Sequence, residues 1–315
     1  MSGKYATETL RVEEGGIARA AKILRDGGLV AVPTETVYGL GADARNGEAV
    51  AGIYAAKGRP SFNPLIVHLP DIETAKRYVE WTDDADRLAQ AFWPGALTLV
   101  LPLKPDSGLS SLVTAGLPSL AVRVPAHPAM RQVLQALNGP VAAPSANPSG
   151  KISATTAAHV LAGLDGKIAA VLDDGACTVG LESTILGLTG PRPALLRAGG
   201  LPSEAIEAAL GQTLEIADGA EIIAPGQLAS HYAPGAAVRL DAEAAGPGEV
   251  LLGFGTMICD LNLSPAGDLT EAAANLFDHL HQLDATGQQI AVAPIPNHGL
   301  GRAINDRLAR AAAPR

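Results

Sequence analysis

The stretch LVAVPTETVYGLGADA, residues 29–44, decides the fold prediction for this chain. Its first part, LVAVPT, is a short apolar run that predicts a buried strand, and Pro33 ends the strand because proline has no backbone donor. Thr34, Thr36 and Tyr38 then offer hydroxyl groups just beyond the strand end. Ligands in open α/β sheets favour crevices beyond strand ends, so the stretch indicates a ligand site. The alternative interpretation is an ordinary corner between a strand and a loop.

Helical and strand patterns alternate on both sides of this stretch, up to about residue 210. Helices are predicted at residues 15–26, 46–56, 71–80, 83–92, 127–137 and 203–210. Strands are predicted at residues 29–34, 65–69, 98–103, 120–125, 141–145, 169–174, 183–188 and 194–197. Strands interleaved with helices predict an α/β or α+β sheet with helices packed against it.

A second, smaller unit is predicted in the C-terminal part of the chain. Residues 211–236 are punctuated by proline and glycine, and loops of this length are uncommon unless they are functional. Strands near 237–241, 249–254 and 290–293 and helices at 269–285 and 300–312 follow. We therefore expect one domain at residues 1–210, a linker or lid at 211–236, and a small α/β domain at 237–315.

Composition excludes several classes of protein. The 315 residues are 47% apolar and 17% charged, which excludes disorder over the whole chain. No run of about 18 apolar residues exists, so no membrane span is predicted. The N-terminal MSGKYATETL lacks the apolar core of a signal peptide. Two cysteines cannot build a disulfide framework or a four-ligand zinc site, so a reduced, cytoplasmic setting is expected.

The net charge of −9 is distributed unevenly along the chain. Residues 1–210 hold 18 basic and 20 acidic residues, whereas residues 211–315 hold 5 basic and 12 acidic residues. The overall charge argues against a general nucleic-acid binder, which needs clustered Lys and Arg for its phosphate contacts. A small anion site stays compatible with the nearly neutral first part, because such a site needs only a few well-placed cations.

Charged side chains in unusual places are the first candidates for chemistry. Lys57 and Arg59 end a predicted helix, where cations either complement the helix dipole or form a phosphate clamp. His68 lies inside the apolar strand LIVHL. It is either a core histidine with its hydrogen bonds satisfied or a histidine that binds a ligand. Arg123 lies in the apolar run LAVRVP. Because an unpaired buried guanidinium is costly, Arg123 must meet an internal carboxylate or a ligand.

Ser145 and Asn147, in APSANPSG, again follow an apolar strand. They can hydrogen-bond their own turn, or they can contact a phosphate or a ribose. The sequence contains no P-loop, no G-x-G-x-x-G after a strand, no H-E-x-x-H, no C-x-x-C and no G-x-S-x-G. A polar crevice with Lys and Arg but without a nucleophile and base pair fits anion binding and transfer chemistry better than hydrolysis.

At PTETVYGLGADA, Lys57-x-Arg59, Asn63-Pro64-Leu65 and Ser145-Ala146-Asn147, the sequence resembles the YrdC/Sua5 family. The resemblance continues through WPGALTLVL (93–101), VRVPAHP (122–128), LESTI (181–185), RAG (197–199), APGQLASHYAPGA (224–236) and IPNHGLGRAINDRLARAA (295–312). It covers nearly the whole chain, and the second half resembles the longer, two-domain Sua5 form. The resemblance implies a YrdC-like twisted mixed sheet with flanking helices, plus a small Rossmann-like α/β Sua5 domain.

The resemblance also implies a reaction. Family members are threonylcarbamoyl-AMP synthases, which convert L-threonine, bicarbonate or CO2 and ATP into threonylcarbamoyl-AMP and pyrophosphate, with Mg²⁺ bound through ATP. The product feeds threonylcarbamoylation of adenosine 37 in tRNA, and a separate transferase complex performs the transfer. Two alternatives are an RNA-binding module with a basic concave surface and a carbamoyltransferase of the same superfamily. The carbamoyltransferases carry zinc-finger cysteines, which two cysteines cannot supply.

The family roles transfer to matching positions of this sequence. The resemblance implies a threonine pocket formed by Thr36, His68, Arg123, Ala143 and Ser183. It implies an ATP site formed by Arg59, Asn63, Ser119, Ser145, Asn147, Ser153, Arg197 and Tyr232, with Lys57 and Arg59 neutralising charge in catalysis. No metal ligand is expected from the protein itself. The sequence departs from the family pattern at Ala143, where threonine is frequent and contact would be by backbone, and in the linker at Gln227 and Ser230.

Overall fold

The computed structural model describes residues 6–216 and 231–314. Its strands are Glu8–Arg11 (β1), Val30–Val32 (β2), Gly39–Asp43 (β3), Ile66–His68 (β4), Leu97–Pro102 (β5), Ser119–Arg123 (β6), Val141–Ala142 (β7), Ala170–Asp173 (β8), Thr184–Gly187 (β9), Ala194–Arg197 (β10), Glu215–Ile216 (β11), Val238–Arg239 (β12), Glu249–Gly253 (β13), Leu261–Asn262 (β14) and Gln289–Val292 (β15). Its helices are Gly16–Arg25 (α1), Gly47–Lys57 (α2), Ile72–Tyr78 (α3), Asp83–Phe92 (α4), Ser111–Thr114 (α5), Pro128–Leu137 (α6), Ala157–Leu164 (α7), Ser203–Leu210 (α8), Leu269–Asp284 (α9) and Leu300–Ala312 (α10), with a short 3-10 turn at Val12–Glu14.

The first eleven strands form one mixed sheet in the order β1-β8-β2-β3-β7-β4-β6-β5-β9-β10-β11. Both faces of this sheet are covered by helices. Val30 and Val32 of β2 pack with α1 and α6 on one face, whereas Ala31 between them faces the cluster that includes α2, α3, α4, α7 and α8. This alternation follows from the two-residue period of a strand. A strand buried on both faces explains why LVAVPT reads as a continuous apolar run.

The opening stretch folds as a hairpin rather than as a strand followed by a loop. Gly39–Asp43 (β3) pairs antiparallel with β2, so that Val30 lies opposite Gly41 and Val32 lies opposite Gly39. The sequence analysis missed β3 because glycine within a strand weakens the strand pattern. Residues 33–38 therefore form a tight connection at one end of the sheet.

The sheet order brings polar residues from distant segments side by side. Strands β4 and β6 are parallel neighbours, and His68 and Arg123 are register partners at their ends. Strand β9 lies beside β5, with Thr184 opposite Leu97. The segment that precedes β9 therefore comes near the same end of the sheet.

The C-terminal unit is a four-stranded sheet in the order β12-β15-β13-β14, in which every described pair is parallel. Helices α9 and α10 pack on it through Leu276, Phe277 and Ile304. The same apolar cluster includes Val37 and Leu181 from the first unit. The two units therefore share buried side chains next to the hairpin connection.

The predicted fold class, a mixed sheet with flanking helices and a small C-terminal α/β unit, is confirmed. Strands β1, β3, β11 and β14 and helices α5 and α7 were not predicted. The proposed domain limits and the Rossmann-like character of the C-terminal unit stay predictions. Most of the predicted lid at 211–236, with Gln227 and Ser230, lies outside the described residues. No helix in the described part of the chain is long and apolar enough to cross a membrane.

Candidate functional site

A buried cleft lies where the ends of β4 and β6 meet the connection before β3 and the segment before β9. Apolar side chains line it together with polar and charged groups, which is typical of a small-molecule site. The predicted site residues that line it are Thr36, Arg59, His68, Arg123, Ala143, Ser145, Ser183, Arg197 and Tyr232. The fold therefore gathers into one cleft most of the residues that the sequence analysis singled out.

Arg123 is held in the cleft by three hydrogen bonds. Its Nε donates to the carbonyl oxygen of Gly95 at 3.0 Å, and its Nη1 donates to Oγ1 of Thr36 at 2.9 Å. Its Nη2 donates to the carboxylate of Glu35. Burial alone would raise the pKa of Glu35, but the charge and hydrogen bond of Arg123 outweigh it and lower that pKa. The anion that the sequence required is therefore an internal carboxylate.

The pairing with Glu35 still leaves Arg123 with donors to spare. A guanidinium has five N–H groups, and the three contacts use one on each nitrogen. Within residues 6–216 and 231–314, one N–H on Nη1 and one on Nη2 remain without a protein acceptor. These two N–H groups can donate charge-assisted hydrogen bonds to the carboxylate of a ligand.

His68 lies beside Arg123 as its register partner on the adjacent strand. Burial, followed by the charge of Arg123, lowers the pKa of His68 to about 3, so the imidazole is neutral at physiological pH. Its Nδ1 is buried without a hydrogen-bond partner in the described chain. A neutral ring with an unsatisfied nitrogen can make a hydrogen bond to a ligand hydroxyl without adding charge.

Ser183 and Ala143 also line the cleft. The Ser183 hydroxyl lies 2.7 Å from Oγ1 of Thr98, and Arg197 Nη2 donates to the Ser183 carbonyl oxygen at 2.7 Å. The Ala143 N–H donates to the carbonyl oxygen of Ile66 at 2.9 Å. A backbone contact from Ala143 to a ligand would therefore use its carbonyl oxygen.

Arg59 places a second guanidinium in the cleft, with a different environment from that of Arg123. Its Nε and Nη2 donate to the carbonyl oxygens of Asn63 and Pro64, at 3.2 and 2.8 Å. No carboxylate in the described residues pairs with it. Burial lowers the pKa of Arg59 to about 10, so it stays protonated at neutral pH. A buried cation without a counter-charge favours binding of an anion.

Several buried polar atoms near the cleft lack hydrogen-bond partners among the described residues. They belong to the amide of Asn63, Nδ1 of His68, Oδ1 of Asn147, Nδ1 of His231, the hydroxyl of Tyr232 and Nη2 of Arg307. Buried polar groups are normally satisfied, so each unsatisfied one needs an explanation. Their concentration here fits a site that is completed by a polar ligand.

Lys57 does not line the cleft, contrary to the phosphate clamp expected from the sequence. Its Nζ donates to the carbonyl oxygen of Ser145 at 2.5 Å and to that of Asn147. Burial, followed by the charge of Arg59, lowers the pKa of Lys57 well below its ordinary value. These contacts make Lys57 a residue that holds the turn at 145–147, and its catalytic role stays a prediction without support from this geometry.

Four further predicted ATP residues lie outside the cleft lining, including Asn63, whose carbonyl oxygen accepts from Nε of Arg59. Asn147 donates through Nδ2 to the carbonyl oxygens of Pro148 and Lys151, so it stabilises its own turn. Ser153 donates to the carboxylate of Glu182, which does line the cleft. Ser119 begins β6 at the end opposite to Arg123, about 13 Å away at the rise of a strand.

Two family models match the chain. The model of the Sua5, YciO and YrdC proteins, described as "Telomere recombination", matches residues 22–199, more than half of the chain. The model described as "Threonylcarbamoyl-AMP synthase, C-terminal domain" matches residues 201–313.

The chain belongs to the Sua5/YrdC family.

Relatives within the Sua5/YrdC family match nearly the whole chain. A threonylcarbamoyl-AMP synthase of Bacillus subtilis is 41% identical, with 97% of this chain and 95% of the relative covered. Another from Pyrococcus abyssi is 40% identical, with 96% and 95% covered. The crystal structure of P. abyssi Sua5 complexed with L-threonine superposes with a TM-score of 0.90 at 38% identity, covering 97% of each chain. Escherichia coli YciO, at 20% identity and a TM-score of 0.56, shares the fold over 61% of this chain.

Four residues at or beside the cleft of this Sua5-type chain were missed by the sequence analysis. Glu35 and Glu182 are the carboxylates next to Arg123 and Ser153, and His231 lines the cleft beside Tyr232. Arg307 reaches Glu182 from helix α10. For Glu35 a signal existed, because the buried Arg123 required an anion, although the sequence could not say which carboxylate supplies it.

Proposed function

We propose that this chain is an L-threonylcarbamoyladenylate synthase, a nucleotidyltransferase that converts L-threonine, bicarbonate or CO2 and ATP into threonylcarbamoyl-AMP and pyrophosphate. Support comes from relatives of that name at 41% and 40% identity over nearly the full chain. The similar P. abyssi Sua5 structure contains L-threonine. The names of the relatives favour this function over the RNA-binding and carbamoyltransferase alternatives.

One observation carries the proposal: a single buried cleft holds three guanidinium groups, and two of them, Arg123 and Arg59, have surroundings that suit two different anions. Arg123 is charge-paired with Glu35 and keeps one N–H on Nη1 and one on Nη2, which suits a carboxylate without creating excess positive charge. Arg59 has no carboxylate partner among the described residues and can accept the larger negative charge of a phosphate. An amino acid at Arg123 and a nucleotide at Arg59 would therefore share one cleft.

The proposed reaction has two steps. The threonine amine first attacks bicarbonate, which forms the N–C bond of a carbamate and releases water. A carbamate oxygen then attacks the α-phosphorus of ATP, forming a P–O bond as the bond to pyrophosphate breaks. Both steps bring negative groups together, so the main contribution of the protein is positioning and charge neutralisation. No protein nucleophile is required.

Each half of the cleft has a defined task in this reaction. Arg123 would bind the threonine carboxylate, while Thr36, His68 and Ser183 surround the amino acid. Arg59, together with Arg197, would neutralise the phosphates. Neutral His68 adds no charge that would compete for the nucleotide.

Mg²⁺ enters this proposal as part of the substrate MgATP. The described residues contain no group of three or more His, Cys, Asp or Glu side chains that could hold a metal ion. Glu182, a carboxylate at the cleft, is engaged by Ser153 and Arg307. The proposal keeps Mg²⁺ on the phosphates of ATP. A cytoplasmic location and delivery of the product to a tRNA threonylcarbamoyl-transferase complex belong to the same proposal.

An omission assay tests the proposed function. Pyrophosphate release is measured with the full chain, MgATP, bicarbonate and L-threonine, and again with each component left out. We expect release to depend on threonine and to fall to background with L-valine, which lacks the hydroxyl group. Pyrophosphate release without threonine would contradict the proposal.

A further inference from the structure

Arg307 belongs to helix α10 of the C-terminal unit, yet its side chain is fully buried. Its Nε donates to Oε2 of Glu182 at 3.0 Å, and its Nη1 donates to Asp306 at 2.7 Å. Glu182 lies in the first unit and lines the cleft. The C-terminal unit therefore supplies a positive charge directly behind the wall of the candidate site.

Glu182 lies between Arg307 and residues that are predicted to bind ligands. Its other oxygen, Oε1, accepts a hydrogen bond from Ser153, and the next residue in the chain is Ser183. Burial alone would raise the pKa of Glu182, but the charges of Arg307 and Arg197 outweigh it, so the pKa is lowered. The cleft thus carries a buried carboxylate in the half that is proposed to receive ATP.

Arg307 also contacts Tyr232, which lines the cleft. The guanidinium carbon lies 5.0 Å from the centre of the Tyr232 ring, within the range of a cation–π contact. The Tyr232 ring also stacks with the ring of Phe277 of α9, with ring centres 5.6 Å apart. Tyr232 adopts a left-handed backbone conformation, with φ of 60°, which is uncommon for a residue other than glycine. Its position is therefore fixed by side chains of the C-terminal unit.

Helix α9 of the C-terminal unit also packs closely against the first unit near Glu182. Gly180, with φ of 74°, lies against the backbone of α9, and a Cβ placed there would be 2.5 Å from the carbonyl oxygen of Ala273. His281 of α9 lies 3.1 Å, through Nε2, from the carbonyl oxygen of Ser153. The two units therefore also meet through Gly180, two positions before Glu182, and through Ser153, which bonds Glu182.

We propose that Arg307 is a positioning residue through which the C-terminal unit completes the nucleotide half of the cleft. This inference rests on the proposed function. A carboxylate at Glu182 without a counter-charge would repel the phosphates of ATP, and Arg307 cancels that charge while it holds Tyr232 in place. The amino-acid half does not contact Arg307, because Arg123 is held by Gly95, Thr36 and Glu35 of the first unit.

The inference predicts that ATP and threonine respond differently to a change at Arg307. In Arg307→Met, we expect the KM for ATP to rise about 100-fold, because the buried carboxylate of Glu182 would lose the charge of Arg307 and repel the phosphates. The Kd for L-threonine alone, measured by calorimetry, should stay within about twofold of the wild-type value. A general loss of folding would weaken both ligands together, so this split separates positioning from a merely structural role.

Removing the carboxylate should rescue the defect. In the double variant Arg307→Met/Glu182→Gln, the KM for ATP should return to within about tenfold of wild type, because the uncompensated charge is gone. If Arg307→Met does not fold, Arg307→Lys replaces it. Lysine keeps the charge but lacks the planar guanidinium, so we expect a rise of about tenfold in the KM for ATP.

The matched control is Arg302→Met. Arg302 lies on the same helix and also reaches the first unit, 3.4 Å from Glu204, but its side chain is 47% exposed. We expect wild-type constants for both ligands. The inference is overturned if the folded Arg307 variant keeps a wild-type KM for ATP, or if Arg302→Met raises that KM equally. Absence of threonine-dependent pyrophosphate release in the wild type would instead defeat the proposed function, so the two failures are distinguishable.

Discussion

The substitution Arg123→Lys separates the charge of this side chain from the shape of its guanidinium. Arg123 is buried and pairs with the buried carboxylate of Glu35. Removal of the positive charge would leave that carboxylate unpaired, at a cost of about 3–5 kcal/mol of folding free energy. Lysine keeps the charge beside Glu35, so the variant should fold and its ligand affinity can be measured.

The expected loss of affinity follows from the number of donors. Arg123 uses one N–H on each nitrogen for protein acceptors and keeps two for a carboxylate. An ammonium group has three donors, and contacts with Glu35 and Thr36 would leave one. Loss of one charge-assisted hydrogen bond costs about 2 kcal/mol, which corresponds to roughly 30-fold weaker binding of L-threonine.

Isothermal titration calorimetry with L-threonine alone measures this loss without the complication of catalysis. Arg45→Lys is the matched control, because Arg45 makes a two-bond pair with Asp43, at 2.9 and 2.7 Å, away from the cleft. Thermal unfolding of both variants establishes that they are folded. An Arg123→Lys protein that is folded and binds threonine within twofold of wild type would refute the assignment of the two N–H groups to the substrate carboxylate.

Three further predictions concern charge, pH and the contact between the units. Arg59→Ala should lose about 2–4 kcal/mol of transition-state stabilisation for pyrophosphate release, and unchanged kcat/KM would contradict its role as a phosphate contact. The pKa of His68 and that of His231 are each lowered to about 3, mainly by burial. Because an unfolded histidine titrates near pH 6.5, the unfolded state binds more protons between these values, and stability falls as pH drops below about 6.5. Urea unfolding at pH 7 and pH 5 should show a loss of about 2 kcal/mol per histidine, whereas equal stability would count against neutral buried rings. Gly180→Val should impair docking of α9 and raise the KM for ATP, and a wild-type KM would show that this contact is dispensable.

The sequence was informative wherever a pattern is local. Both ends of α2 can be predicted from residue type. The side chain of Asn46 caps its start by accepting hydrogen bonds from the N–H groups of Glu48 and Ala49, and Gly58 ends it in a left-handed conformation. Strand β3 was not readable, because its residues Gly39 and Gly41 gain strand geometry only from pairing with β2. Pairing between strands is a tertiary effect that outweighs local propensity.

For the site, the sequence predicted which residues are unusual but not what they contact. A guanidinium inside an apolar strand was visible, whereas its partner Glu35 lies 88 positions away in the chain. Lys57 looked like a phosphate ligand because its charge is visible in the sequence, but its donation to the carbonyl oxygens at 145 and 147 depends on packing. The sequence did not predict a role for Arg307, because the burial of this side chain depends on how the two units pack together.

The most direct test of the proposed function follows the carbon atom of bicarbonate. The full chain is incubated with MgATP, L-threonine and ¹³C-labelled bicarbonate, and the nucleotide products are examined by mass spectrometry. Our account predicts an adenylate that contains threonine and one labelled carbon, formed together with pyrophosphate. Release of pyrophosphate with AMP products that contain no labelled carbon and no threonine would contradict it.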